Sequence, residues 1–162
     1  MEKNKTAIIT GAGKGIGKAI AIGLAKLNYK TILIGRNRKD LEQVAVLIND
    51  RFAIESKILQ LDITNKLAVK EAIPNLVSEN GRIDVLVNNA GIYFSGTVDT
   101  PTDDFEKMLD TNLVAQFKLL KEVVPIMKAQ KSGYIFNVAS RSGKVGFATS
   151  GTYSASKFGM VG

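Results

Sequence analysis

The stretch Thr10-Gly11-Ala12-Gly13-Lys14-Gly15-Ile16-Gly17 decides how the rest of this chain reads. Ahead of it, Thr6-Ala7-Ile8-Ile9 is short, apolar and β-branched, which marks a strand. Behind it, Ile16, Ala19, Ile20, Gly23, Leu24 and Leu27 recur at threes and fours, the period of a helix. A glycine-rich turn from strand into helix is a place for phosphate. Its glycines let the backbone turn tightly and approach an anion, and the free N–H groups and dipole of the helix start favour negative charge. Spacing then selects the kind of site. A P-loop ending at Gly17-Lys18 needs glycine at Ala12 and Ser or Thr at Ala19, and has neither. The G-x-G-x-x-G pattern counted from Gly11 ends on Ile16. What fits is T-G-x-x-x-G-x-G on Gly11, Gly15 and Gly17.

Composition narrows the chemistry. The chain has 162 residues, 45% of them hydrophobic, which suits one domain with a sizeable core. It has no cysteine and no histidine. Disulfides, thiolate or imidazole metal sites and His-based triads are therefore excluded, and no metal is expected. Proton transfer near neutral pH must use Tyr, Lys, Asp or Glu. The N-terminus, Met1 to Lys5, lacks the apolar stretch of a signal peptide, and no run is long enough to span a membrane. The expectation is a soluble cytoplasmic protein that does not enter membranes. Of the net charge of +7, the whole excess lies in residues 1–40, around the glycine loop. That patch suits a small polyanion. Without interleaved aromatics it does not suggest nucleic acid.

The remainder alternates strand and helix. Thr31 to Gly35, Ser56 to Leu61, Asp84 to Val87 and Tyr134 to Val138 read as strands. Asp40 to Phe52, Leu67 to Val77, a long segment with Phe105, Met108, Leu109, Leu113, Phe117, Leu120 and Val124 on one side, and a last segment from Tyr153 read as helices. Thr102 or Asp103 is the expected cap of the long helix, and Pro125 should kink or loosen its last turn. Ser140 to Gly151 is a Gly/Ser-rich loop. Apolar strands alternating with helices predict an α/β fold with a doubly wound parallel sheet. Its ligands should gather at the carboxyl ends of the strands.

Six features stand at those ends or on the adjoining helices: the Thr10–Gly17 turn, Asp62, Asn88-Asn89-Ala90-Gly91, Asn112, Ser140 and Tyr153-x-x-x-Lys157. Their order, with Ser140 thirteen residues before Tyr153, resembles the short-chain dehydrogenase/reductase family over the whole chain. Overall the chain looks like bacterial 3-oxoacyl-acyl-carrier-protein reductases. The residues agree with the roles that the resemblance implies. Tyr153 and Lys157 share a helix face at i and i+4, and an ammonium beside a phenol lowers the phenol's pKa from about 10. Ser140 can hydrogen-bond a substrate carbonyl oxygen as charge develops there, with Ser142 its nearest rival. The resemblance adds a proton relay through Asn112, a ribose contact for Lys157, an adenine contact for Asp62 beside Ile63, and adenosine backing for Asn88, Ala90 and Gly91.

The resemblance thus implies a Rossmann-type NAD(P)-binding domain over residues 1–162, with catalytic Asn112, Ser140, Tyr153 and Lys157. The dinucleotide is expected against Gly11, Lys14, Gly15, Ile16, Gly17, Arg36, Asn37, Arg38, Asp62, Ile63, Asn88, Ala90, Gly91, Tyr153 and Lys157. No acid follows strand two, where Gly35-Arg36-Asn37-Arg38 stands, so NADP(H) is expected in preference to NAD(H). The implied reaction interconverts a carbonyl and a secondary alcohol, with 3-oxoacyl thioesters among the candidate substrates. The implied assembly is a homo-dimer or homo-tetramer. The family continues past this point with two more strands, their helices and a loop over substrate, whereas the sequence stops five residues after Lys157. The sequence leaves open a truncated dinucleotide-binding module without turnover.

Overall fold

The computed structural model describes residues 5–162, so the reading of Met1 to Asn4 falls outside the described residues. Five strands alternate with helices: β1 (Thr6–Thr10), α1 (Gly15–Lys26), β2 (Lys30–Gly35), α2 (Arg38–Phe52), β3 (Lys57–Gln60), α3 (Lys66–Asn80), β4 (Val85–Asn88), α4 (Thr102–Leu109), a π-helical segment (Asp110–Val114), α5 (Ala115–Gln130), β5 (Tyr134–Asn137), a 3₁₀ turn (Arg141–Gly143) and α6 (Gly151–Val161). The sheet is wholly parallel, in the order β3-β2-β1-β4-β5. The order reverses between β1 and β4, and ligands bind at such a switch point in open α/β sheets.

Residue alternation explains the two faces. On one face Ile8, Ile32, Ile34 and Leu86 meet Ile73 and Leu76 of α3 and Leu119, Val123 and Met127 of α5. On the other, Ala7, Ile9, Leu33, Val85 and Val87 meet Ala21 and Ala25 of α1 and Leu41, Val44 and Ile48 of α2. Each fully buried large aliphatic side chain contributes about 1.5–3 kcal/mol, which is why helices cover both faces of the sheet.

The structure corrects the sequence reading at several elements. The buried stripe of α1 is Gly17, Ala21 and Ala25, while Ile16 and Leu27 are exposed. Small residues let α1 lie close to the sheet, and that closeness outweighs the larger side chains of the neighbouring stripe. Arg38 and Lys39 already belong to α2, because Asn37 caps it by accepting a bond from the Asp40 amide at 3.2 Å. Neither Thr102 nor Asp103 caps α4; both lie inside its first turn, behind Pro101. α5 continues five residues past Pro125 to Gln130, and α6 begins two residues before Tyr153. The long helix is interrupted by the π segment, which turns the core-facing stripe onto Met108, Asn112, Ala115, Gln116, Leu119, Val123 and Met127 and leaves Phe117 exposed. No helix among the described residues is long and apolar enough to cross a membrane.

Candidate active site

The switch point is built around Thr10, the last residue of β1. Its hydroxyl accepts bonds from the Asn89 and Ala90 amides, both at 2.9 Å, and donates to the Val87 carbonyl at 3.3 Å. The Asn89 side chain donates to the carbonyls of Thr10 (2.9 Å) and Gly11 (3.3 Å). The two crests are thereby tied together, and the glycines are needed where they meet. Gly11 has φ +64°, and a Cβ there would stand 2.9 Å from Asn89 Nδ2. At Gly17 a Cβ would collide with the Gly11 carbonyl and lie 2.5 Å from Asn89 Nδ2. Lys14 precedes α1 without any side-chain cap, and the first turn of α1 carries no acid. Amide groups at this helix start are therefore available to an anion.

A cleft of about 320 Å³ opens there. Among the expected residues, Gly11, Lys14, Arg36, Asn37, Asp62, Ile63, Ala90 and Gly91 line it. Asn89, part of the expected Asn88–Gly91 stretch, lines it as well, as do Gly13, Asp40, Ile92 and Thr111, to which the sequence reading gave no role. The geometry narrows the expectation at six residues. Arg38 bonds Glu42 one helical turn on, at 2.8 Å, and does not line the cleft. The Ile16 side chain is 63% exposed, and Gly15, Ile16 and Gly17 do not line the cleft wall; what they offer a ligand is the backbone amides of the α1 start. Asn88 is fully buried and donates across the sheet to Asn137 Oδ1 at 2.9 Å, so its side chain ties β4 to β5, as expected of the Asn88–Gly91 stretch, and does not line the cleft. Asp62 keeps its place in the cleft but also closes a local turn, accepting from the Thr64 amide (3.0 Å) and hydroxyl (2.8 Å).

The second half of the site adjoins the first through Gly91. A Cβ on Gly91 would lie 3.1 Å from Asn112 Oδ1 and 3.7 Å from Lys157 Nζ. Asn112 sits fully buried in the π segment. π turns of this kind are frequent at functional sites. Its Oδ1 accepts from the Ile92 amide (2.8 Å), and its Nδ2 donates to the Ile92 carbonyl (2.9 Å) and to Ser156 Oγ (3.0 Å). Ser156 in turn donates to the Tyr153 carbonyl at 2.7 Å. Both amide hydrogens of Asn112 are thus used inside the protein.

Lys157 is 4% exposed, and its ammonium lies 5.9 Å from the centre of the Tyr153 ring. It donates to the Val138 carbonyl at 3.0 Å and has no carboxylate partner among the described residues. Burial holds its pKa below the usual lysine range. An ammonium has three donors, so most of its capacity stays available to the phenol or to a ligand. Tyr153 is half-buried, with the Tyr93 ring edge-on at 5.1 Å. Ser140 is the N-cap of the 3₁₀ turn, its Oγ accepting from the Ser142 amide at 3.1 Å, which leaves its own O–H free to donate. That turn packs directly on α6, since a Cβ on Gly143 would lie 2.6 Å from the Lys157 carbonyl.

The structure also assigns positions the sequence did not. Tyr93, Ser156 and Gln116 act across large sequence separations, and Thr10 and Asn89, known only as motif members, turn out to tie β1 to β4. The signal available for Ser156 and Gln116 was a Ser and a Gln on otherwise buried helix faces, which burial makes costly unless they are bonded.

Comparisons with known proteins agree with this geometry. A family model described as short chain dehydrogenase matches residues 5–162. A 3-oxoacyl-acyl-carrier-protein reductase (FabG) of Rickettsia prowazekii is 39% identical over 98% of this chain and 63% of its own length. The oxidoreductase YxjF of Bacillus subtilis is 34% identical over 99% of this chain and 62% of its own. Among solved structures, a metagenomic short-chain oxidoreductase in complex with NADP superposes with a TM-score of 0.92 at 34% identity, over 97% of this chain and 72% of that one. NAD+-bound xylitol dehydrogenase gives 0.93 at 34% identity, over 99% and 63%. The chain spans between 54% and 66% of the length of the first three of these curated relatives.

Proposed function

The chain belongs to the short-chain dehydrogenase family, and on that premise we propose that it is an NADP(H)-dependent oxidoreductase interconverting a carbonyl and a secondary alcohol. One observation carries the reading. The phosphate-suited cleft and the Tyr153–Lys157 pair share a wall, Gly91, whose missing side chain leaves Asn112 and Lys157 beside the cleft. Binding and proton transfer therefore meet at one place.

A nicotinamide dinucleotide suits this cleft on the chemistry of its donors. The free amides at the start of α1 suit the diphosphate, Asp62 the adenine amino group, and Lys157 the ribose hydroxyls. When bound, the group supplies or accepts the hydride. Tyr153 gives the proton to the substrate oxygen in reduction and takes it back in oxidation. Lys157 brings positive charge beside that phenol and holds the ribose. Ser140 donates to the substrate oxygen as negative charge grows there. Asn112, through Ser156, holds the backbone of Tyr153.

Lys14 and Arg36 are the two cations lining the cleft, and they favour the 2′-phosphate of NADP(H). Asp40 also lines it, but its Cβ side is turned to Gly13 and its amide to Asn37. The likeness to FabG proteins makes 3-oxoacyl thioesters the first substrates to try. A cytoplasmic homo-dimer or homo-tetramer is the setting this reading expects, on the likeness to FabG proteins.

The test follows dinucleotide absorbance with simple ketones and acetoacetyl thioesters, alongside titrations of NADPH and NADH. We expect reduction with NADPH and weaker binding of NADH. Tyr153→Phe should abolish turnover while NADPH affinity stays within about twofold, since only the proton donor is lost. Equal affinity for both dinucleotides would sink the preference, and undiminished turnover in Tyr153→Phe would sink the proton donor.

A further inference from the structure

Gln116 is a polar residue in a place built for an apolar one. It lies in the first turn of α5, 4% exposed, one turn beyond Asn112. Its Nε2 donates to the Ala90 carbonyl at 2.6 Å and approaches the Thr111 carbonyl at 3.3 Å. Both partners are acceptors only, so chemistry places the nitrogen on that side. Its Oε1 is buried without a partner. A buried oxygen left this way is normally selected against, and a methionine of similar length would fill the space without it. The amide is therefore present for what its nitrogen holds.

What it holds is the wall of the cleft. Ala90, Gly91 and Ile92 all line it. The Ala90 amide is tied to Thr10 on β1 and its carbonyl to Gln116 on α5. Ile92 is tied at both its amide and its carbonyl to Asn112. Two side-chain amides at i and i+4, aligned across the π segment, thus clamp three consecutive residues of the wall from the helix side. Asn112 was legible as a motif residue; Gln116 completes the clamp.

We propose that Gln116 is a positioning residue for dinucleotide binding, fixing the Ala90–Gly91 backbone in the conformation that the ligand meets. This rests on the reading of the cleft as a nicotinamide dinucleotide site. Replacing the side chain with methionine removes the Ala90 bond and the unpartnered oxygen together. The lost bond loosens the wall, while the lost orphan offsets the damage to stability.

The test compares the full chain with Gln116→Met by calorimetric titration of NADPH, by thermal melting, by steady-state kinetics and by amide hydrogen exchange. The expected result is dinucleotide affinity weaker by roughly three- to tenfold, the range of one hydrogen bond. KM for the dinucleotide should rise with it, kcat and the melting midpoint should hold, and exchange over residues 90–92 should be faster without ligand. Unchanged affinity, or unchanged exchange in that segment, would overturn the proposal. So would a loss of affinity that tracks an equal loss of melting temperature and kcat, because a merely structural residue does that. A wild-type protein that binds no nicotinamide dinucleotide would overturn the reading of the cleft itself, and the wild-type titration alone reports it.

Discussion

Lys157 is the residue at which stability and chemistry oppose each other. Its ammonium is buried with one carbonyl bond and no counter-charge among the described residues, and burial lowers its pKa. Between that lowered value and the ordinary value of about 10.4, the unfolded chain binds more protons than the folded one. The stability contributed by this site therefore rises with pH through that window, and is lowest below it. Lys157→Met should melt higher than wild type near neutral pH, with the difference shrinking toward about pH 10.4, and should be inactive. Melting curves of both proteins across that range check it. A variant less stable by a constant amount at every pH would mean that the Val138 bond outweighs the burial of charge. At this scale the sequence was informative where chemistry is local. Tyr153, Lys157 and the glycines declare themselves by spacing. Arg38 did not, because its choice of Glu42 over the cleft depends on where α2 begins. Ser156 and Gln116 were silent, and the tie made by Thr10 was not legible, because their decisive partners lie 26 to 80 residues away.

At the scale of elements, α1 shows how backbone proximity overrides hydrophobic pattern. Ile16 and the C-cap Leu27 face water, Ile20, Ile22 and Leu24 are only partly buried, and the fully buried positions are Gly17, Ala21 and Ala25. Two glycines of this helix should consequently respond oppositely to the same change. Gly17→Ala forces a Cβ into the Gly11 carbonyl and Asn89; overpacking of this kind costs on the order of 1–3 kcal/mol and should weaken dinucleotide binding. Gly23→Ala meets nothing within 4 Å, and removing a mid-helix glycine should stabilise by about 0.5–1 kcal/mol. Thermal midpoints should move roughly 2–4 °C per kcal/mol for a domain of this size. Equal shifts in the two variants would refute the close approach of α1 to the loop. The π segment shows the limit of pattern reading. Strand and helix types were legible from period alone, but an extra residue in one turn leaves no signal in hydropathy. Beyond Asp110 the fully buried stripe is therefore shifted from the expected one: Leu113, Leu120 and Val124 are half-buried, and Phe117 moves from the expected core side to solvent.

For the molecule as a whole, the alternation of apolar strands with helices was enough to foresee a parallel sheet covered on both faces, because no other arrangement buries such strands. It did not reveal how unequal the two sheet edges are. β3 ends the sheet on one side with Lys57, ion-paired to Glu79 on α3, and charge on an edge discourages pairing. β5 ends it on the other with Tyr134, Ile135 and Phe136, all exposed. Tyr134 and Phe136 pair in register with Val85 and Val87, so they share the face that α1 and α2 cover elsewhere. Phe117 and Val114 on the helices, and Phe158 on α6, add exposed apolar surface on the other side. Residues 1–162 by themselves should therefore self-associate, scatter light and melt with poor cooperativity. Phe136→Lys should reduce that scattering, since a charge on an edge strand opposes pairing. A chain carried on to the length of its relatives should instead give a discrete dimer or tetramer, and Phe117→Lys should shift it toward monomer if the helix face is the interface. Light scattering and melting of these four proteins decide the matter. A monodisperse, cooperatively melting 162-residue monomer would show that the β5 edge and the helix face are tolerated in water as they stand.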